Sequence, residues 1–447
     1  MKGRNVDLIS GTIWKSILMF AVPLLIGNLF QQLYNTADSY VVGNYVGKSA
    51  LAAVGASSPI INMLIGLFMG IATGAGVVIA NYFGAEDPEN LKKTVHTSAA
   101  LTLVMSVVLT IVGLAFTNPM LHAVGIPADI FDEAALYLMI YFGGISFALI
   151  YNMGAGILRA VGDSKRPLYF LAIASVINVV LDFIFVKYFN WGIAGAGIAT
   201  LIAQAVSAIL VVYMLLKTEE NYKLNYRSIR FDKPILKRII VIGLPTGFQQ
   251  SVVSLSNVIV QSYVNAFGSS VVAGYSAAIR IDGFFNLPLQ SFNMAVTTFV
   301  GQNMGAKQYD RVKKGAKSTM LMALLVIGTL SILLYFFGDE FIRFFNKDVD
   351  VVEAGRTMQL AFIPFYIVLP IVQTINGVLR GAGKSTIPMY IMVFNFVILR
   401  QIYLMIATNI SKDLYVVFMG WPVTWVVCAL MFIIYYHKVN WLPKEEV

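Results

Sequence analysis

The sequence predicts an all-α integral membrane protein with twelve transmembrane helices in two parallel six-helix lobes. Three observations carry that prediction: a shortage of charge, a run of bilayer-length apolar segments, and an internal repeat. Of 447 residues, 58% are hydrophobic and only 12% charged. A soluble chain carries about 25% charged residues. Disordered, fibrous and disulfide-built classes are excluded as well, because aromatics are plentiful, glycine has no collagen period and Cys428 is the only cysteine. His96, His122 and His437 lie far apart and leave no material for a zinc or haem site of the usual kind.

A bilayer crossing needs about 20 apolar residues. Such runs fall at 12–42, 50–83, 94–117, 132–158, 167–188, 192–216, 235–267, 271–302, 315–337, 354–379, 386–409 and 413–437. Several are long and contain Pro23, Pro245, Pro288 or Pro364, which points to bent or tilted helices. No cleavable signal is expected ahead of the first span, where Lys2, Arg4 and Lys15 hold its start in the cytoplasm.

With both termini on one side, 24 of the 32 Lys and Arg collect there. The opposite side receives six: Lys48, Lys187, Arg343, Lys347, Arg356 and Lys412. Arg280 and Arg400 fall inside spans. That asymmetry predicts a multi-pass protein of the prokaryotic cytoplasmic membrane with both termini in the cytoplasm. The net charge of +9 therefore reports topology and implies no nucleic-acid partner.

A shift of 221 residues lays the second half on the first. Gly84, Ala85, Lys92 and Lys93 meet Gly305, Ala306, Lys313 and Lys314. Leu158, Arg159, Gly162, Pro167 and Tyr169 meet Leu379, Arg380, Gly383, Pro388 and Tyr390. Pro23 and Asn35 meet Pro245 and Asn257 at a shift of 222. Six spans per half is an even number, so both halves enter the membrane in the same direction. The expected organisation is a lobe at 1–216, a basic cytoplasmic linker at 217–238 and a second lobe at 239–447. Two lobes with a cleft between them favour a transporter over a channel.

Ionisable side chains inside spans are costly and mark functional candidates. They are Asp38, Asp182, Arg280, Asp282 and Arg400. Asp38 on the first span, Asp182 on the fifth and Thr200 on the sixth lie at similar depth in the outer half. Asn178 precedes Asp182 by four residues and shares its helix face. Two carboxylates, an amide oxygen and a hydroxyl make an oxygen-only set that suits a small hard cation. It equally suits a proton, since two neighbouring carboxylates resist being charged together. The alternative is that each acid makes a private hydrogen bond. The repeat places Ile259 or Val260, Leu399 and Tyr403 at the positions of Asp38, Asn178 and Asp182, so the set belongs to the first lobe alone. In the second lobe Arg400 pairs with an acid, snorkels to water or lines a substrate path. Arg280 and Asp282 do not share a helix face and read as structural clamps. The GAGKST run at 381–386 lacks the first glycine of a phosphate loop and follows a membrane helix, which disfavours an ATP-driven pump. Gly66, Gly70 and Gly74 are spaced for close helix packing.

Together these residues resemble the multidrug and toxic compound extrusion (MATE) family of cation-coupled exporters, along essentially the whole chain. The resemblance implies that Asp38, Asn178, Asp182 and Thr200, with a backbone carbonyl near Ala196, form a first-lobe site for Na+ or H+ as coupling ion. Tyr137 and Asn152 on the fourth span are similar to polar neighbours of that site. The Pro23 helix resembles a first helix that bends. Acids that some members carry on the seventh and tenth spans are absent here. Gln249, Gln250, Gln373 and Asn376 stand there instead, with Arg280, Asp282 and Arg400 as further candidates for a substrate cleft. The implied activity is antiport of amphipathic, cationic organic compounds by alternating access, by a monomer in the lipid bilayer, with no other cofactor and no enzymatic step. The rival is a lipid-linked oligosaccharide or lipid flippase of the same superfamily, which wants a cleft richer in Arg and Lys.

Overall fold

A computed structural model describes residues 6–411 and 413–443, and the side chain of Val258 lies outside that description. Lys2, Arg4, Lys412 and Lys444, which enter the charge asymmetry, lie outside the described residues. The described chain is helical, without strands, and forms twelve long helical segments. The first six are α1 (Ile13–Val46), α2 (Lys48–Gly84), α3 (Pro88–Val124), α4 (Phe131–Ala160), α5 (Lys165–Tyr188) and α6 (Gly192–Lys217). The second six are α7 (Lys233–Asn265), α8 (Ser269–Gly305), α9 (Tyr309–Phe345), α10 (Val349–Gly381), α11 (Thr386–Ile410) and α12 (Leu414–Lys438).

Eleven of these are long and apolar enough to cross a membrane. The exception is α8, expected as an apolar span at 271–302. It is a helix of 37 residues, but Arg280, Asp282, Asn286, Gln290 and Asn293 dilute its hydropathy. Elsewhere the helices outrun the apolar stretches. The third was expected at 94–117 and starts at Pro88, because the polar turn with Glu89, Lys92 and Lys93 is helical too. Asp87 caps it, accepting the Asn90 backbone N–H at 3.0 Å.

The four prolines noted in the sequence fall in two kinds of helical backbone. Pro23, Pro245 and Pro288 are carried inside continuous helices. Pro364 instead lies in a 3-10 stretch, Ile363–Val368, that interrupts α10. Wide-turn π segments close α1 (Val42–Val46) and α5 (Phe183–Tyr188) and interrupt α11 (Phe394–Leu399).

The duplication is written into the backbone. Glu86 and Lys307, 221 positions apart, both take positive φ, at 52° and 55°. In each, the following residue reaches back five, Asp87 N–H to Tyr82 O and Gln308 N–H to Asn303 O, while the left-handed residue itself donates to Phe83 O or Met304 O, the pair of hydrogen bonds that ends a helix in this way. The α4–α5 and α10–α11 turns repeat the device, with Gly162 at φ 91° and Gly383 at φ 77°.

Two compact units follow from packing. One comprises 1–7 and 22–247, the other 8–21 and 248–447. The division runs through α1 beside Pro23 and through α7 beside Pro245, so residues 217–238 lie wholly within the first unit. There α4 packs on α2, α3 and α6, and α5 packs on α6. In the second unit α8 packs on α9 and on both parts of α10.

The first unit is tightest where α2 meets the opening half of α7. A Cβ on Gly70 would stand 2.0 Å from Gly247 N, and one on Gly74 would stand 2.6 Å from Gly243 N. Small residues at four-residue spacing on both helices let the backbones touch. Residues 217–238 are tied to the same unit. His96 donates from Nδ1 to Lys92 O at 2.6 Å and accepts the Asn225 N–H on Nε2 at 3.0 Å, the tautomer that satisfies both bonds. Arg238 reaches Tyr82 Oη at 2.6 Å.

In the second unit the segment before α1 is held from α8 and α9. Asn303 donates to Leu8 O at 3.0 Å, and Arg311 donates to Ser10 O at 2.6 Å and to Gly11 O at 2.9 Å.

Candidate functional site: a carboxylate pair in one lobe and a lone guanidinium in the other

Asp38 and Thr200 each lie eight residues from the end of their helix that faces the α1–α2 and α5–α6 turns, and Asp182 lies six from its own. At 1.5 Å per residue, all three stand about 9–12 Å in from that end. Asp38 is 8% exposed and Asp182 not at all. Asp182 feels the charge of Asp38, which puts the two acids in one locality. Asn178, one turn before Asp182, donates to Thr200 Oγ1 at 3.4 Å and ties α5 to α6. Ala196 is buried one turn before Thr200 on α6.

The oxygens are where the site declares itself. Asp38 Oδ1, Asn178 Oδ1 and both carboxylate oxygens of Asp182 are buried without a hydrogen-bond partner among the described residues. Buried polar atoms are otherwise satisfied almost everywhere in folded proteins. Four orphaned oxygens, two of them on a single carboxylate, form an acceptor set whose chemistry suits a hard acid such as a dehydrated alkali cation or a proton. No group of three or more His, Cys, Asp or Glu suited to a metal occurs among the described residues, so the remaining donors have to be neutral oxygens.

Tyr137 on α4 senses both Asp38 and Asp182 and belongs to the cluster. Asn152 spends its amide on Ala148 O, one turn back on its own helix, at 2.9 Å. Sequence reasoning missed Tyr34, which interacts with Asp38, Asp182 and Tyr151. The available signal was its spacing of four from Asp38, which puts phenol and carboxylate on one face of α1.

The second unit brings the remaining candidates into two groups. Towards the α10–α11 turn, Gln249 and Asn376 both donate to Met392 Sδ, at 2.8 and 3.4 Å. Asn293 donates to Gln373 O at 2.7 Å and accepts from Arg380 at 3.3 Å. Arg380 also approaches Asn376 Oδ1 at 3.5 Å. Arg380 and Asn293 were not singled out from sequence. Gln250 is half-buried on α7, one residue beyond Gln249.

The second group surrounds Asp282 and Arg400. Tyr366 Oη donates to Asp282 Oδ1 at 2.7 Å, and Asn286 donates to Oδ2 at 3.2 Å. The Tyr366 ring stacks on Phe285 at 4.4 Å. Asp282 thus ties α8 to α10, while Arg280 is exposed. Arg400 makes no ion pair within 4 Å among the described residues. It donates to Asn257 Oδ1 at 3.3 Å and Thr424 Oγ1 at 3.2 Å, with Phe396 and Trp421 ring centroids at 5.0 and 5.5 Å.

The family model described as MatE matches the chain twice, over residues 23–184 and 245–406. The chain belongs to the MatE family. Its two matches sit one per half, 222 positions apart, on the same duplication that the left-handed turns repeat. Among relatives, the probable multidrug resistance protein YoeA of Bacillus subtilis is 28% identical and aligns over 97% of this chain and 95% of its own. The probable multidrug resistance protein NorM of Thermotoga maritima is 26% identical over 84% of this chain and 82% of its own. Among solved structures, an outward-facing multidrug resistance MATE transporter of the MOP superfamily superposes with a TM-score of 0.92 at 25% identity, covering 99% of this chain and 100% of that one. This MATE chain is accordingly a multi-pass membrane transporter whose relatives include probable multidrug resistance proteins.

Proposed function

We propose that this transporter is a cation-coupled antiporter that exports amphipathic organic compounds, driven by inward movement of Na+ or H+ through the first lobe. The observation that carries the proposal is the set of four orphaned oxygens on Asp38, Asn178 and Asp182. A coupling ion satisfies them, with Thr200 and a carbonyl near Ala196 completing the shell and Tyr34 and Tyr137 bounding it. A ligand shifts an equilibrium only by its differential affinity for two states. Coupling therefore requires that ion binding favour a state with weak affinity for cargo. Pro23, in the helix that carries Asp38, is the bending point through which occupancy of the site reaches the rest of α1.

The charge asymmetry of the connections supports a cytoplasmic-membrane location with both termini inside. The protein acts as a monomer, with organic cargo and lipid as its partners and no enzymatic chemistry. Cationic cargo is the class that the resemblance implies. The paucity of Lys and Arg within the helices argues against the lipid-linked flippase.

Dye export from proteoliposomes, under an imposed Na+ gradient and separately a pH gradient, tests this reading. Export driven by one gradient, and lost in both Asp38→Asn and Asp182→Asn, is expected. Gradient-driven export that survives both substitutions would sink it.

A further inference from the structure

We propose that Arg400 anchors an anion-receiving subsite inside the second lobe, which takes the carboxylate of an amphipathic aromatic compound. The proposal rests on the export reading for the idea that organic cargo enters this lobe, and it extends the cargo beyond cations. A guanidinium keeps its charge in any protein environment. Here it is 3% exposed, within a membrane-spanning helix, where an uncompensated charge is costly.

Its partners do not neutralise it. Asn257 Oδ1 and Thr424 Oγ1 are neutral acceptors, and at 3.3 and 3.2 Å both bonds exceed the roughly 2.7–2.9 Å of a charge-assisted pair. Nε has no partner. The ionisable groups that act on Arg400 are Tyr275 and Cys428. Asp282 also acts on Tyr275, but its two oxygens are taken by Tyr366 and Asn286.

The chemistry of the vacant edge selects the ligand. Nε–H and the neighbouring Nη–H of one guanidinium form a planar fork that matches the two oxygens of a carboxylate. Phe396 and Trp421 already lie over the guanidinium. Trp421 continues into a cluster with Phe362, Phe418 and Tyr275, whose ring faces suit an aromatic body. The repeat sharpens the assignment. Arg400 occupies the position of Val179, between Asn178 and Asp182. The same helix of each lobe thus holds orphaned polar atoms, acceptors in the first lobe and a cationic donor in the second.

Equilibrium dialysis of 2-naphthoate against the full chain in phosphatidylcholine nanodiscs tests the proposal, with 2-naphthylmethylamine as the matched cation. Naphthoate is expected to bind wild type and to weaken roughly 10- to 100-fold in Arg400→Gln, the range for a lost charged hydrogen bond. Arg400→Lys, which keeps the charge without the fork, is expected to fall between, and it carries the test if Arg400→Gln fails to fold. Equal naphthoate binding by wild type and the folded variants would overturn the subsite, as would no binding to wild type. Repeating the dialysis with phosphatidylglycerol in the disc separates the sources of the anion. Unchanged affinity supports a soluble carboxylate, whereas competition would assign the site to a lipid phosphate and overturn the cargo assignment. Dialysis needs no ion gradient, so a failed antiport assay and a failed subsite are read independently.

Discussion

Alanine at Gly70 is expected to destabilise the first compact unit by about 1–3 kcal/mol, the usual cost of overpacking a well-fitted contact. The new methyl carbon would lie 2.0 Å from Gly247 N, 2.2 Å from Gly247 Cα and 2.7 Å from Gly243 O. Non-bonded carbon contacts settle at about 3.5–4.0 Å, so α2 and α7 have to part by roughly 1.5 Å. All three obstructing atoms are backbone, and no rotamer change relieves them. Alanine's better helix propensity returns up to about 1 kcal/mol, which leaves the net effect destabilising. Gly74→Ala meets the same seam at 2.6 Å, and the double variant should cost less than the sum, because the first methyl has already opened the helices. Gly55→Ala, on the same helix with nothing within 4 Å, is the control and should be neutral or stabilising. Unfolding titrations with SDS in mixed micelles measure all four. Gly70→Ala as stable as Gly55→Ala would refute the contact.

If the four orphaned oxygens hold Na+, the melting temperature of wild type rises with Na+ at constant ionic strength, and Asp182→Asn abolishes the rise; a response unchanged in the variant counts against the site. Asn178→Leu, which installs the residue found at position 399, should weaken that response by about tenfold or more, since it removes both an acceptor and the donor to Thr200. Tyr366→Phe strips Asp282 Oδ1 of its donor and should cost about 1–3 kcal/mol in the same SDS titration, with Phe285 stacking retained. The Asn90 N–H and side-chain amide hold the Asp87 carboxyl below the usual carboxylate range. Its contribution is therefore full above the unfolded value of about 3.9 and is lost as pH falls through the lower folded value. Asp87→Ala should flatten the acid limb of the melting profile.

Much of the architecture was legible because it is written in one dimension. Apolar runs, the 221-residue shift and the intramembrane acids need only hydropathy and spacing. What stayed hidden needs two segments placed side by side. Gly70 and Gly74 announced a close contact, but nothing in their spacing named Gly243 and Gly247 as partners. Depth counted along two helices pairs Asp38 with Asp182, whereas the place of Tyr34 beside both acids depends on how α1 packs on α5. Arg380 falls one residue past the expected span at 354–379, yet it is buried against Asn293 and Asn376. Asn152, assigned by resemblance, bonds to its own helix, an outcome that side-chain type alone does not reveal.

The grouping of residues 8–21 with the second unit carries a consequence for biosynthesis. Leu8 is anchored by Arg311, 303 residues later in the chain. At about 5–20 residues per second, the ribosome delivers that arginine roughly 15–60 s after the segment it holds. The opening turns of α1 therefore spend most of translation without their final neighbours, and the first lobe is completed while its own first helix is still only half committed. A ribosome that stalls before α9 therefore leaves the carbonyls of Ser10 and Gly11 without the arginine that holds them.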